Sequence, residues 1–210
     1  MTLFEFDIKE KKEFKADFII GTDEAGRGPA AGGVWAAAVA FKQNINEELF
    51  ETLNDSKKLT PKKREALYEP IKENSYWAIK AVTVEKIEEI NILNASLLGM
   101  KYAVESVMEQ IQNDNILTLV DGNKLIKNFH CPQKFIIKGD GTSASIAAAS
   151  ILAKVSRDMY MDKIHYEFPQ YDWINNKGYL TKAHIEAIKK FGTTKYHRLS
   201  FLKNITKSPQ

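Results

Sequence analysis

At 210 residues the chain is long enough to bury one substantial core and too short to divide comfortably into two. Its 44% hydrophobic and 27% charged residues are the proportions of a globular protein, which excludes a disordered or fibrous chain, while a net charge of +3 is too small to argue polyanion binding by itself. A single cysteine, Cys131, excludes an intrachain disulfide and suits a reducing cytosol; no signal-peptide h-region or membrane-length apolar run is present, so a cytoplasmic protein without membrane attachment is expected.

Residues 1–16, dense in Lys and Glu from Lys9 to Glu13, read as a mobile or loosely docked lead-in to a single domain over 17–203, followed by a frayed tail over 204–210. A first strand is expected over 17–24. It closes on Asp23-Glu24-Ala25-Gly26-Arg27-Gly28, where two glycines relieve Cβ crowding on either side of Arg27 and let backbone amides approach a phosphate or a ribose. The near-continuous apolar run 34–41 predicts a second strand covered on both faces, and the short connection favours an antiparallel hairpin with the first.

Thr60-Pro61 is a strong helix start, with a stop or kink expected at Pro70; the basic residues Lys57, Lys58, Lys62, Lys63 and Arg64 crowd its entry. A third strand is expected over 76–84. From Asn94 the apolar positions 97, 100, 104, 107 and 111 trace one face of a helix packed on a sheet. Short strands follow over 116–120, ending in Asp121-Gly122, and over 134–138, ending in Gly139-Asp140-Gly141. Thr142 or Ser143 caps a helix whose 147–153 stretch is small on most faces and therefore reads as buried, emerging at Lys154, Arg157 and Asp158. A last helix over 181–191 stops at Gly192.

Three of the predicted strands thus end in acids: Asp23 with Glu24, Asp121, and Asp140. Asp121-Gly122 and Asp140-Gly141 are also plain turn dipeptides, but each follows directly on an apolar strand, and strand ends are where α/β architectures bind ligands. Adjacent strand residues point to opposite faces, so Asp23 and Glu24 share a site only if the chain bends or bulges near the glycines. Clustered carboxylates repel and call for cations, and an all-oxygen ligand set suits Mg²⁺ or Mn²⁺. Two such ions roughly 3.5–4 Å apart would support in-line phosphodiester hydrolysis.

The segments Gly21-Thr22-Asp23-Glu24-Ala25-Gly26-Arg27-Gly28-Pro29, Asp55-Ser56-Lys57-Lys58-Leu59-Thr60, Val120-Asp121-Gly122-Asn123, Lys138-Gly139-Asp140, the run from Ala148 to Asp158, Lys177-Gly178-Tyr179 and His197-Arg198 fall in order along nearly the whole chain. In these blocks the chain resembles bacterial ribonuclease HII, the type 2 ribonuclease H. The resemblance implies an α/β, RNase H-like fold: a central mixed β-sheet flanked by helices, with a helical C-terminal part. It implies Asp23, Glu24, Asp121 and Asp140 as catalytic metal ligands for Mn²⁺ or Mg²⁺. The implied substrates are RNA/DNA hybrids and duplex DNA containing single ribonucleotides, cut to leave 3′-hydroxyl and 5′-phosphate ends, in ribonucleotide excision or RNA primer removal.

By the same resemblance Gly26, Arg27 and Gly28 read the ribose 2′-OH, and Tyr179 selects the RNA-to-DNA step. Lys57, Lys58, Lys154, Lys177 and Arg198 are candidate phosphate contacts. His184 is expected on a helix surface, with His197 orienting the C-terminal segment, and a monomer is implied. The rival readings are the sister ribonuclease HIII, which lacks the Gly-Arg-Gly loop, a catalytically silent hybrid binder, and a nuclease of the same fold that cuts plain DNA.

Overall fold

In the structure, a computed structural model that describes residues 1–53, 59–203 and 205, Thr2 caps a helix, α1 (Leu3–Phe14). Thr2 Oγ1 accepts from the Glu5 amide and Glu5 returns a bond to the Thr2 amide, closing a capping box. This corrects the expectation of a loose lead-in. The alternating charges conceal a stripe formed by Leu3, Phe6, Asp7 and Glu10. Leu3 and Phe6 pack on two core clusters, Asp7 Oδ2 accepts from the Ser145 amide at 2.8 Å, and buried Glu10 pairs with Lys134 at 2.8 Å.

The sheet has the order β3-β2-β1-β4-β5. Its antiparallel half is β1 (Phe18–Ala25), β2 (Val34–Phe41) and β3 (Ser75–Val82); β4 (Ile116–Asp121) and β5 (Gln133–Ile136) continue it parallel to β1. The expected β1–β2 hairpin and mixed sheet are therefore present. The third strand stops short of the expected 84, because Thr83 leaves the ladder to cap α3 (Val84–Ile90). β5 likewise ends before 138, where Lys138 turns into the left-handed region at φ 57°.

The pleat sorts β2 between two cores. Ala37 and Val39 face α5 (Ala144–His165), while Ala36, Ala38 and Ala40 face α4 (Ile92–Ile111). Small residues let α5 lie very close to the sheet. A Cβ on Gly21 would stand 2.2 Å from the Ser145 carbonyl carbon and 2.3 Å from the Ile146 nitrogen, so the start of α5 rests directly on β1.

Two helices run further than the sequence suggests. α2 (Pro61–Glu73) passes through Pro70, since one missing amide near its end is offset by burial of Leu67 and Ile71 on α5. α5 does not emerge at Lys154, Arg157 and Asp158: Val155, Ser156, Arg157, Met161 and Ile164 stay buried. Beyond it, α6 (Trp173–Asn176) and α7 (Lys182–Phe191) surround fully buried Trp173 at the far end of α5. Among the described residues no helix is long and apolar enough to cross a membrane.

Burial raises the Asp7 carboxyl to about 6, against the Ser143 and Ser145 hydrogen bonds that lower it. A carboxyl held above its unfolded value favours folding most at low pH, and that contribution is lost as pH rises from about 4 through 6. Asp7→Asn is expected to be less stable than or equal to the wild type at pH 4 and more stable, by about 1–3 kcal/mol, at pH 8. Urea unfolding at both pH values measures the difference; a pH-independent gap would show that Asp7 does not titrate on folding.

Candidate active site

The parallel register of β1 and β4, with Thr22 opposite Val120, brings Asp23 beside Asp121 at the carboxyl ends of the central strands. Asp23 is only 4% exposed, beneath α5. Burial first, then the negative charges of Glu24 and Asp121, hold its carboxyl well above the usual carboxylate range, while the Ser150 hydroxyl and the Glu24 amide, the latter 2.6 Å from Oδ1, act in the opposite direction.

Asp121 is the last residue of β4. Gly122, at φ +100°, turns the chain and bonds to the Ile136 carbonyl. The left-handed Lys138 then presents the Gly139 amide 2.8 Å from Asp121 Oδ1, and Asp140 follows, buried, in the next turn. The β1–β2 ladder stays in register through Ala25, so the chain does not bulge between Asp23 and Glu24, yet the Glu24 charge still presses on Asp23. Glu24 turns toward Arg27, with Oε1 3.3 Å from Nη1.

An all-carboxylate set fits a hard divalent cation, and the charge pressing on Asp23 is what such an ion would neutralise. As the side chains stand, no three acids or imidazoles among the described residues converge as one ligand group. Protein donors, the Arg27 guanidinium and the Gly139 amide, occupy Glu24 and Asp121.

The glycine loop is bound to two distant segments. Ala30 N–H donates to the Gly178 carbonyl, Gly32 N–H to Tyr196 and Arg198 N–H to Ala30. A Cβ on Gly28 would meet the Tyr179 ring at 3.4 Å, so the loop and this half-exposed tyrosine form one surface. Beneath them lie two buried guanidiniums. Arg157 donates to the carbonyls of Ala31 (2.9 Å), Lys177 (3.0 Å) and Gly33 (3.4 Å). Arg198 donates to Gly32 (2.8 Å), Gly33 (3.0 Å) and Arg27 (3.2 Å).

Several expectations are corrected here. Arg198 is fully buried and holds backbone carbonyls, so it does not offer a surface phosphate contact. Lys154 is partly buried and paired with Asp158 at 2.6 Å, and Lys177 is paired with Asp162. His184, expected on a surface, is fully buried between Trp173 and His197. Lys57 and Lys58 lie outside the described residues. The role of Arg157 as a loop anchor has no local signal in the sequence. A spacing signal does exist for His184, since positions 184, 187 and 188 form the buried stripe of α7.

The fold and strand-end acids define an RNase H-like protein, and comparison with known proteins carries that class to a family. The ribonuclease HII family model matches residues 20–204. Ribonuclease HII of Bacteroides thetaiotaomicron is 52% identical over 182 residues, covering 86% of this chain and 88% of that protein. Ribonuclease HII of Caldicellulosiruptor bescii is 50% identical over 202 residues, covering 95% and 94%. Among solved structures, ribonuclease H2 of Pyrococcus horikoshii superposes with a TM-score of 0.70 at 23% identity, covering 90% of this chain and 96% of that one. The manganese complex of Bst-RNase HIII superposes at 0.71 with 15% identity, covering 87% and 66%. The chain belongs to the ribonuclease HII family and is a ribonuclease H, of a family that acts on RNA/DNA hybrids.

Removing the Arg198 fork takes a donor from the Gly32 and Arg27 carbonyls and leaves Gly33 only the 3.4 Å bond from Arg157. Arg198→Ala is expected to cost about 2–4 kcal/mol, and Arg198→Lys to recover only part, because an ammonium cannot reproduce the planar fork. Urea midpoints decide; a loss under about 1 kcal/mol would mean the loop is held without it.

Proposed function

We propose that this ribonuclease H is an endonuclease that hydrolyses the RNA strand of RNA/DNA hybrids and nicks duplex DNA on the 5′ side of single ribonucleotides, leaving 3′-hydroxyl and 5′-phosphate ends. The observation that carries the reading is the buried Asp23, pressed by the charges of Glu24 and Asp121 at the ends of adjacent parallel strands. Asp23, Glu24, Asp121 and Asp140 hold divalent cations, Mn²⁺ or Mg²⁺; the solved manganese complex of a ribonuclease HIII supports a divalent ion on this fold. Bound there, a pair of such ions supplies charge neutralisation and an activated water for phosphodiester hydrolysis.

The chain's own residues do the orienting. Ser150 and the Glu24 amide fix the Asp23 carboxylate, and the Gly139 amide fixes Asp121. The backbone of Gly26-Arg27-Gly28 faces the ribose 2′-OH, the group that separates RNA from DNA. The Tyr179 ring, exposed against Gly28, meets the sugar at the RNA-to-DNA step. Lys57 and Lys58 contact phosphates. The protein acts in the cytoplasm as a monomer, in ribonucleotide excision or primer removal.

The test is cleavage of a labelled DNA duplex carrying one ribonucleotide, with Mn²⁺, with Mg²⁺ and with chelator, beside an all-DNA duplex. A metal-dependent nick 5′ of the ribonucleotide with the control intact is expected, and Asp121→Asn should lower cleavage by roughly 10²–10³-fold while hybrid binding persists. Cutting of plain DNA, or an unchanged rate in Asp121→Asn, defeats the reading; cutting of long hybrids alone limits it to hydrolysis of the RNA strand in hybrids.

A further inference from the structure

His184 and His197 take no part in this chemistry, yet both are essentially sealed from solvent and bonded at every ring nitrogen. Their protons can be assigned from the fixed donors around them. Thr194 N–H can only donate, and it stands 2.9 Å from His197 Nδ1. That nitrogen therefore accepts, and the proton of a neutral imidazole sits on Nε2.

His197 Nε2 is 3.2 Å from His184 Nε2, which must then accept. Trp173 Nε1–H, also only a donor, reaches the same His184 nitrogen at 3.1 Å, so the two donors share its one lone pair and both demand the same state. The His184 proton is left on Nδ1, 2.9 Å from the Tyr179 carbonyl. The bonds run one way, from Thr194 through both imidazoles to the backbone of Tyr179. Burial presses both rings toward the neutral form, His197 to about 4 with the His184 charge adding to the effect.

The Tyr179 carbonyl receives one further bond, from Thr181 N–H at 2.8 Å, and the Tyr179 amide donates to Asn176 at 2.9 Å. The peptide is thus pinned from inside while the ring stands half exposed against Gly28. We propose that His184 and His197 are positioning residues that fix Tyr179 against the glycine loop and so set the preference for a single embedded ribonucleotide over a long hybrid. The inference rests on the reading of Tyr179 given above.

The test has two parts. Imidazole ¹⁵N spectra of the intact protein at neutral pH should show His184 as the Nδ1–H tautomer and His197 as the Nε2–H tautomer; the opposite assignment, or a charged ring, overturns the relay. The second part compares kcat/KM on a one-ribonucleotide duplex with kcat/KM on a long RNA/DNA hybrid. His184→Leu should lower that ratio about threefold to tenfold, the equivalent of one net hydrogen bond, and His184→Asn, whose amide keeps a donor near Nδ1, should recover part of it. If His184→Leu does not fold, His197→Asn, which keeps an acceptor for Thr194 and loses the Nε2 donor, should shift the ratio in the same direction.

In a Tyr179→Ala background the histidine substitutions should add nothing to the ratio. An additive effect there, an equal fall on both substrates, or equal losses in His184→Leu and His184→Asn would overturn the inference. If Tyr179→Ala leaves the ratio unchanged, the reading of Tyr179 falls and the relay's role with it. If Tyr179→Ala shifts the ratio and the histidine variants do not, only the relay falls.

Discussion

Asp23 lies under α5 with two other carboxylates close enough to oppose its ionisation, and most of the architecture around it follows from holding that arrangement together. Taking an anion out of water costs several kcal/mol unless it is compensated, and like charges nearby increase the cost. The protein meets part of it locally, through the Ser150 hydroxyl and the Glu24 amide. The Ser150 contact requires α5 to lie directly on β1, which requires a glycine at position 21 and small residues along the facing helix. The alanine-rich packing is thus the geometric condition for placing acids at the strand ends.

The glycine loop and the Tyr179 segment depend on a second kind of buried charge. Arg157 and Arg198 turn their donors onto carbonyls of the 27–33 segment and of Lys177. A guanidinium suits this task because its planar fork reaches several carbonyls at fixed angles and stays protonated when buried. Burial lowers Arg157 to about 10, and burial with the Arg157 charge lowers Arg198 to about 9, both still cationic at neutral pH. Segments far apart in the chain are thereby joined into one surface beside the acids.

Much of this is legible in the amino-acid sequence because it depends on local chemistry. The bounds of β2 coincide with the apolar run, Thr60, Ser143 and Thr181 cap the helices that their positions predict, and the stripe at 97, 100, 104 and 107 is the buried face of α4. The acids after apolar strands are likewise readable, because a strand and the turn that ends it are local events. What stays hidden is burial of charge. Glu10 finds Lys134, and Arg198 finds Gly32, across distances in sequence that no window spans. A run of Lys and Glu therefore reads as solvated although one face of it is docked, and an arginine reads as a phosphate contact although it is structural.

The two kinds of buried charge differ in what they leave open, and that difference separates scaffold from proposed site. The guanidiniums are satisfied by carbonyls that have nowhere else to go, so their energy is spent in the folded state and their removal is felt as instability. Asp23 is different: burial and the charges of Glu24 and Asp121 oppose its ionisation more than the Ser150 hydroxyl and the Glu24 amide support it. A fold that satisfies the buried guanidiniums beside the acids, yet leaves Asp23 pressed by like charge, suits the proposed cation site.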